Sequence, residues 1–124
     1  MRTFLFALPL VLSACTTPSS EGTALPPAAF SARITDGAQL VDVRTAGEFA
    51  NGHIAHAVNL DWTSGELEAQ ATTLDKARPV LLYCASGRRS AAANDHLRKS
   101  GFTDVVDLDG DISAWRSAGL PVEQ

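Results

Sequence analysis

The sequence predicts an α/β domain built on a mainly parallel sheet. Three observations carry that expectation. Short runs rich in Val and Leu alternate with segments that hold helix signals, the order expected of repeated βα units. The 124 residues are 45% hydrophobic and 19% charged, which suits one globular domain and leaves no room for a second. No internal repeat interrupts the pattern, and the three histidines and two cysteines form no zinc-ligand spacing, so no metal is expected.

The first segment stands apart from the domain. "MRTFLFALPLVLSAC" joins Arg2 to an apolar run from Phe4 to Leu12, then Ser13, Ala14 and Cys15, the layout of a secretory signal. The run falls short of the roughly 20 apolar residues that a spanning helix needs. Leu12-Ser13-Ala14-Cys15 also resembles the bacterial lipobox, which implies cleavage before Cys15 and a lipid on its sulfur. A plain signal with a coincidental cysteine is the alternative. "TTPSSEGTALPPAA" is rich in Thr, Ser and Pro and has no apolar period, so it reads as a tether. The expected organisation is therefore a signal peptide at 1–14, a lipidated cysteine and tether at 15–29, and a domain at 30–124.

Within the domain, "QLVDVR" is the first strand candidate. Thr45 followed by Glu48 is a capping box that starts a short helix. "AVNL" is a weaker strand. In "SGELEAQATTL", Ser64 is the expected cap and Leu67 and Leu74 share a face. "PVLLYC" is the strongest strand, followed by "RRSAAANDHLRKSG", alanine-rich, basic in its last turn and closed by Gly101. "DVVDL" and "DISAWRSAG" complete the alternation.

The chemistry gathers at "YCASGRRSAAA". A lipidated Cys15 leaves Cys84 as a single free thiol in an oxidising compartment. Cys84 lies at the carboxyl end of a buried strand, where open α/β sheets bind ligands. The helix starting at about Arg89 adds its positive end, and Arg88 and Arg89 add charge. Such surroundings favour a thiolate, and Gly87 permits a tight loop. Net charge is -4 and pI about 5.2, so the overall field gives nucleic acid no attraction.

Three ordered segments, "LVDVRTAGEFANGHIAHAVNL", "VLLYCASGRRS" and "LDGDISAWRSAGLPV", resemble the rhodanese-like domain of sulfurtransferases, in particular the small single-domain periplasmic type. The match runs from about Gln39 to Val122. The resemblance implies a five-stranded, mainly parallel sheet flanked by helices on both faces. It implies a Cys84 persulfide that moves sulfane sulfur from thiosulfate or a similar donor to cyanide or a thiol, without a cofactor. Ala85, Ser86, Gly87, Arg88, Arg89 and Ser90 are the implied anion-binding loop, with Arg89 as the matching family arginine and Arg88 at the variable position. The C-x-x-G-x-R spacing has four residues between Cys84 and Arg89, one fewer than in phosphatases of the same fold, which leaves a phosphatase-like activity as the weaker enzyme reading. A persulfide carrier without turnover, or a thiol-sensing module, is the reading from another class.

Asp42 and Arg44 match the family's DVR and either support the site or pair structurally. His53 and Glu48 are expected in structural roles, Glu48 as a cap or ion-pair partner, and Trp62 and Trp115 in packing. Asp111 stands where the family usually has a second glycine, and His56 where it often has one; neither is expected to touch the nucleophile. The expected partners are a small sulfur-containing anion or thiol acceptor and a membrane reached through Cys15, with the domain a monomer. The lipobox implies the cell envelope, facing the periplasm. Thr16 lacks the aspartate that retains enterobacterial lipoproteins at the inner membrane, which points to the outer one.

Overall fold

A computed structural model describes residues 24–35, 37–85 and 87–124. The segments expected to be a signal peptide and a tether, with Cys15 and as far as Thr23, lie outside the described residues, as does Ser86. Five strands form one sheet: β1 (Ala24–Leu25), β2 (Gln39–Asp42), β3 (Val58–Asn59), β4 (Val80–Tyr83) and β5 (Val105–Leu108). Their order is β1-β5-β4-β2-β3, and every pairing is parallel. The helices are α1 (Pro27–Arg33), α2 (Ala46–Ala50), α3 (Glu66–Gln70), α4 (Arg88–Lys99) and α5 (Asp111–Ser117).

β4 is the central strand, and all four of its residues are buried. That explains the unbroken apolar run: a parallel strand covered on both faces has no polar side to alternate. Side chains still alternate between two cores. Val80, Leu82 and Cys84 pack on one face with Leu67, Ala93, Leu97 and Phe102, beneath α3 and α4. Leu81 and Tyr83 pack on the other with Phe30, Ile112 and Trp115, beneath α1 and α5. Cys84 thus continues the strand's alternation into the α4 face.

Helix ends follow local chemistry. The Thr45 hydroxyl accepts the Glu48 N–H while the Glu48 carboxylate accepts the Thr45 N–H, the capping box expected from the sequence. Pro27 opens α1, where a missing N–H costs nothing. Two expectations are corrected. The cap of α3 is Gly65, not Ser64; Gly65 has φ +81, a left-handed angle that glycine adopts without strain. The sheet also begins earlier than the composition suggests. Ala24 and Leu25, assigned to the tether, pair with Asp107 and Leu108 of β5, and α1 begins at Pro27, ahead of the expected boundary at 30.

Candidate active site

β4 ends at Tyr83, and the chain turns through Cys84, Ala85 and Gly87 into α4. Gly87 caps the helix with φ +95, so the turn needs a residue without a β-carbon. The Gly87 N–H donates to Cys84 Sγ at 3.0 Å. The sulfur also lies 3.5 Å from the Ser90 hydroxyl, one turn into α4. A backbone donor and the positive end of a twelve-residue helix therefore face one buried sulfur. Ala85 is half-buried on the loop, and Ser86 lies outside the described residues.

The two arginines differ. Arg88 is exposed. Arg89 faces Glu48 of α2 in a two-point ion pair, Nη1 to Oε1 at 2.6 Å and Nη2 to Oε2 at 3.0 Å. Those hydrogen bonds hold the Glu48 carboxyl down to about 2, against the opposing cost of burial. They raise the Arg89 guanidinium above its usual range, and the nearby Cys84 adds to the rise. Glu48 is therefore both cap and ion-pair partner, as its position suggested.

Asp42 and Arg44 pair with each other. Arg44 Nη2 meets Asp42 Oδ2 at 2.7 Å, Asp42 Oδ1 accepts the Arg44 backbone N–H at 2.9 Å, and Arg44 also donates to the Gly52 carbonyl. Both are buried, and Arg44 stacks on the Tyr83 ring, on the face opposite Cys84. Burial and the Asp42 carboxylate push the Tyr83 hydroxyl up, and that hydroxyl accepts the Ile54 N–H. The two side chains are thus engaged with each other and with Gly52. His53 likewise turns inward, its Nδ1 2.9 Å from the Phe49 carbonyl and its ring stacked on Phe49. Trp115 is buried against Phe30, and Trp62 packs on the α4-side core.

One expectation at the site is overturned. Asp111 does touch Cys84: its Oδ1 accepts the Cys84 backbone N–H at 2.8 Å and lies 3.3 Å from the Ser90 Oγ. The next residue, Ile112, donates its N–H to the Cys84 carbonyl, so the first turn of α5 buckles onto the loop. Asp111 (φ +56) and His56 (φ +70) are the only non-glycine residues with left-handed φ among the described residues. They are also the two positions where the sequence departs from glycine. Beside Asp111, Asp107 is pushed up to about 6, mainly by burial and partly by the Asp111 carboxylate. Both line a cleft of about 350 Å³ with Ala24, Gly87 and Ser90.

Residues 26–118 match the family described as the rhodanese-like domain. The chain belongs to that family. This rhodanese-like domain is 39% identical over 105 residues to the thiosulfate sulfurtransferase GlpE of Pseudomonas putida, covering 84% of this chain and 93% of the relative. It is 38% identical over 88 residues to a sulfurtransferase of Allochromatium vinosum, covering 71% of this chain and 80% of the relative. A rhodanese-related protein of Thermoplasma volcanium superposes with a TM-score of 0.73 at 31% identity, over 81% of this chain and 96% of the other. The five-stranded parallel sheet and its flanking helices are the rhodanese-like fold, and a sulfurtransferase role holds for the rhodanese-like domain at the level of its family.

Proposed function

We propose that the domain is a sulfurtransferase that works through a persulfide on Cys84. The observation that carries this reading is the Gly87 N–H aimed at Sγ from the start of α4. A donor that stabilises a negatively charged sulfur there serves both the attacking thiolate and the persulfide anion that replaces it.

The Cys84 thiolate attacks the outer sulfur of thiosulfate. A bond forms between Cys84 Sγ and that sulfur, the bond to the sulfonate sulfur breaks, and sulfite leaves with the electron pair. The persulfide's outer sulfur then passes to a thiophilic acceptor, giving thiocyanate from cyanide or a new persulfide from a thiol, and the Cys84 thiolate returns. No external oxidant or reductant enters. Loop amides and the helix end stabilise the charge. Arg89, oriented by Glu48, contributes less than a free guanidinium because a carboxylate already faces it.

The four-residue spacing from Cys84 to Arg89 supports sulfur transfer over phosphoryl transfer, which needs donors around three equatorial oxygens. The lipobox at Leu12 to Cys15 supports a lipid-anchored protein of the cell envelope, facing the periplasm.

The test is thiocyanate production from thiosulfate and cyanide by the purified domain, beside Cys84→Ser. Multiple turnovers by the wild type and none by the variant, with unchanged circular dichroism, support the enzyme. One sulfur transferred per chain would identify a carrier instead. Efficient hydrolysis of an aryl phosphate without thiocyanate would overturn sulfur transfer.

A further inference from the structure

The Cys84 loop rests on a carboxylate. Asp111 is 2% exposed, with Oδ1 bonded to the Cys84 N–H and close to Ser90 Oγ. Its Oδ2 lies beneath Gly87, 3.2 Å from where a β-carbon on that residue would stand. The negative charge is thus two hydrogen-bond lengths from the sulfur through Ser90. Cys84, Ser90 and Asp111 are all buried, so protein rather than water separates the charge from the sulfur. In such a medium a unit charge acts several times more strongly than in water.

The first turn of α5 and the Cys84 N–H face this carboxylate, but no cationic side chain among the described residues pairs with it. Arg89 is already matched by Glu48. Ser90 adds to the effect. Its one proton has Gly87 O and Asp111 Oδ1 as acceptors, each at 3.3 Å, with Cys84 Sγ at 3.5 Å. A carboxylate competes for that proton better than a carbonyl does. Ser90 then turns a lone pair, not a proton, toward the sulfur. Asp111 holds this place at φ +56, a left-handed angle that costs most residues about 1–2 kcal/mol and that Asp and Asn tolerate better than most.

We propose that Asp111 sets the donor preference of the Cys84 loop, disfavouring doubly charged sulfane donors such as thiosulfate relative to singly charged organic thiosulfonates and persulfides. The inference rests on the sulfurtransferase reading and names its substrate class. Repulsion from a fixed charge scales with the charge of the incoming donor, so the dianion meets about twice the penalty of the monoanion. The chemistry is otherwise the same. With an organic thiosulfonate, the Cys84 thiolate takes the terminal sulfur and a sulfinate leaves with the electron pair.

The experiment compares thiosulfate with methanethiosulfonate, cyanide being the acceptor, for the wild type, Asp111→Asn and Asp111→Gly. Asn keeps an oxygen acceptor for the Cys84 N–H and accepts the left-handed angle while removing the charge. The ratio of kcat/KM for thiosulfate to that for methanethiosulfonate is expected to rise about tenfold in Asp111→Asn, mainly through a lower KM for thiosulfate. A purely structural role would weaken both donors alike and leave the ratio unchanged. An unchanged ratio in a folded variant overturns the proposal. If Asp111→Asn does not fold, Asp111→Gly, which suits φ +56 without strain, decides by the same ratio. Wild-type protein that makes thiocyanate from neither donor would defeat the sulfurtransferase reading instead. The charge effect is then read from alkylation of Cys84, followed on its own peptide, by iodoacetate and iodoacetamide. A higher anionic-to-neutral rate ratio in Asp111→Asn supports the role of Asp111, and an equal ratio ends it.

Discussion

Glu48 and Arg89, 41 residues apart in sequence, meet through two hydrogen bonds at the end of the Cys84 loop where α4 begins. The contact ties α2 to the first turn of α4. It also means that the positive charge written into "GRR" is not all available to a substrate.

Glu48→Gln isolates that ion pair, because glutamine at the same position still closes the capping box with Thr45. Glu48 titrates at about 2 in the folded chain, below its ordinary value of 4.5. Its contribution is therefore complete above 4.5 and is lost as the pH falls toward 2. The pair is half-buried, so solvent screening limits the effect to about 1 kcal/mol at neutral pH. Urea unfolding should show the variant weaker by that amount at pH 7 and the gap closing on acidification. A gap that stays constant with pH would mean the pair is not its source.

Asp107 has the opposite sign. Its carboxyl is pushed up from 3.8 to about 6, so within that window the folded chain keeps a proton that the unfolded chain has released. Stability falls as the pH rises through the window. Asp107→Asn removes the titrating group. It should therefore gain on the wild type by about 1 kcal/mol between pH 4 and pH 7, the full shift being discounted for partial solvent access. Parallel stability profiles for the two proteins would contradict this.

Two left-handed positions should respond in opposite directions. A β-carbon on Gly110 would stand 2.5 Å from the Ala114 β-carbon, at φ +75. Gly110→Ala should therefore destabilise by about 2 kcal/mol or more. His56 is exposed at φ +70, and His56→Gly should stabilise by about 0.5–1 kcal/mol as the angle relaxes. Thermal denaturation of both variants reads the difference.

Cys15→Ser tests the lipobox in the full-length chain. The domain should still fold, but membrane retention and incorporation of labelled fatty acid should both disappear. Equal retention of variant and wild type in fractionated cells would rule out the anchor.

The fold was legible where local chemistry decided it. The Val and Leu run of β4, the Thr45 capping box and the alanine-rich α4 each declare themselves within a few residues. β1 did not, because Ala24 and Leu25 are strand only by virtue of the β5 edge they meet, and their own surroundings are Pro- and Thr-rich. Ser64 misled because Gly65, one residue on, supplies the backbone angle that starts α3. Cys84, its loop and the start of α4 could be read from one short stretch. The partners of the carboxylates around it could not: Glu48 reaches Arg89 from another helix, and Asp111 lies 27 residues beyond Cys84. A local sequence reading counts the charges that are near in the chain, whereas the sulfur responds to those near in space.

The register of β1 determines where the chain enters the domain. Leu25 aligns with Leu108 at the carboxyl end of β5, and Ala24 lines the same cleft as Gly87 and Ser90. The first described strand therefore lies at the end of the sheet that carries Cys84. In the lipid-anchored reading proposed above, a tether leading into β1 would orient the domain as well as retain it. A reactant held on the same surface would then meet the loop at an effective concentration set by the reach of that tether rather than by the bulk solution.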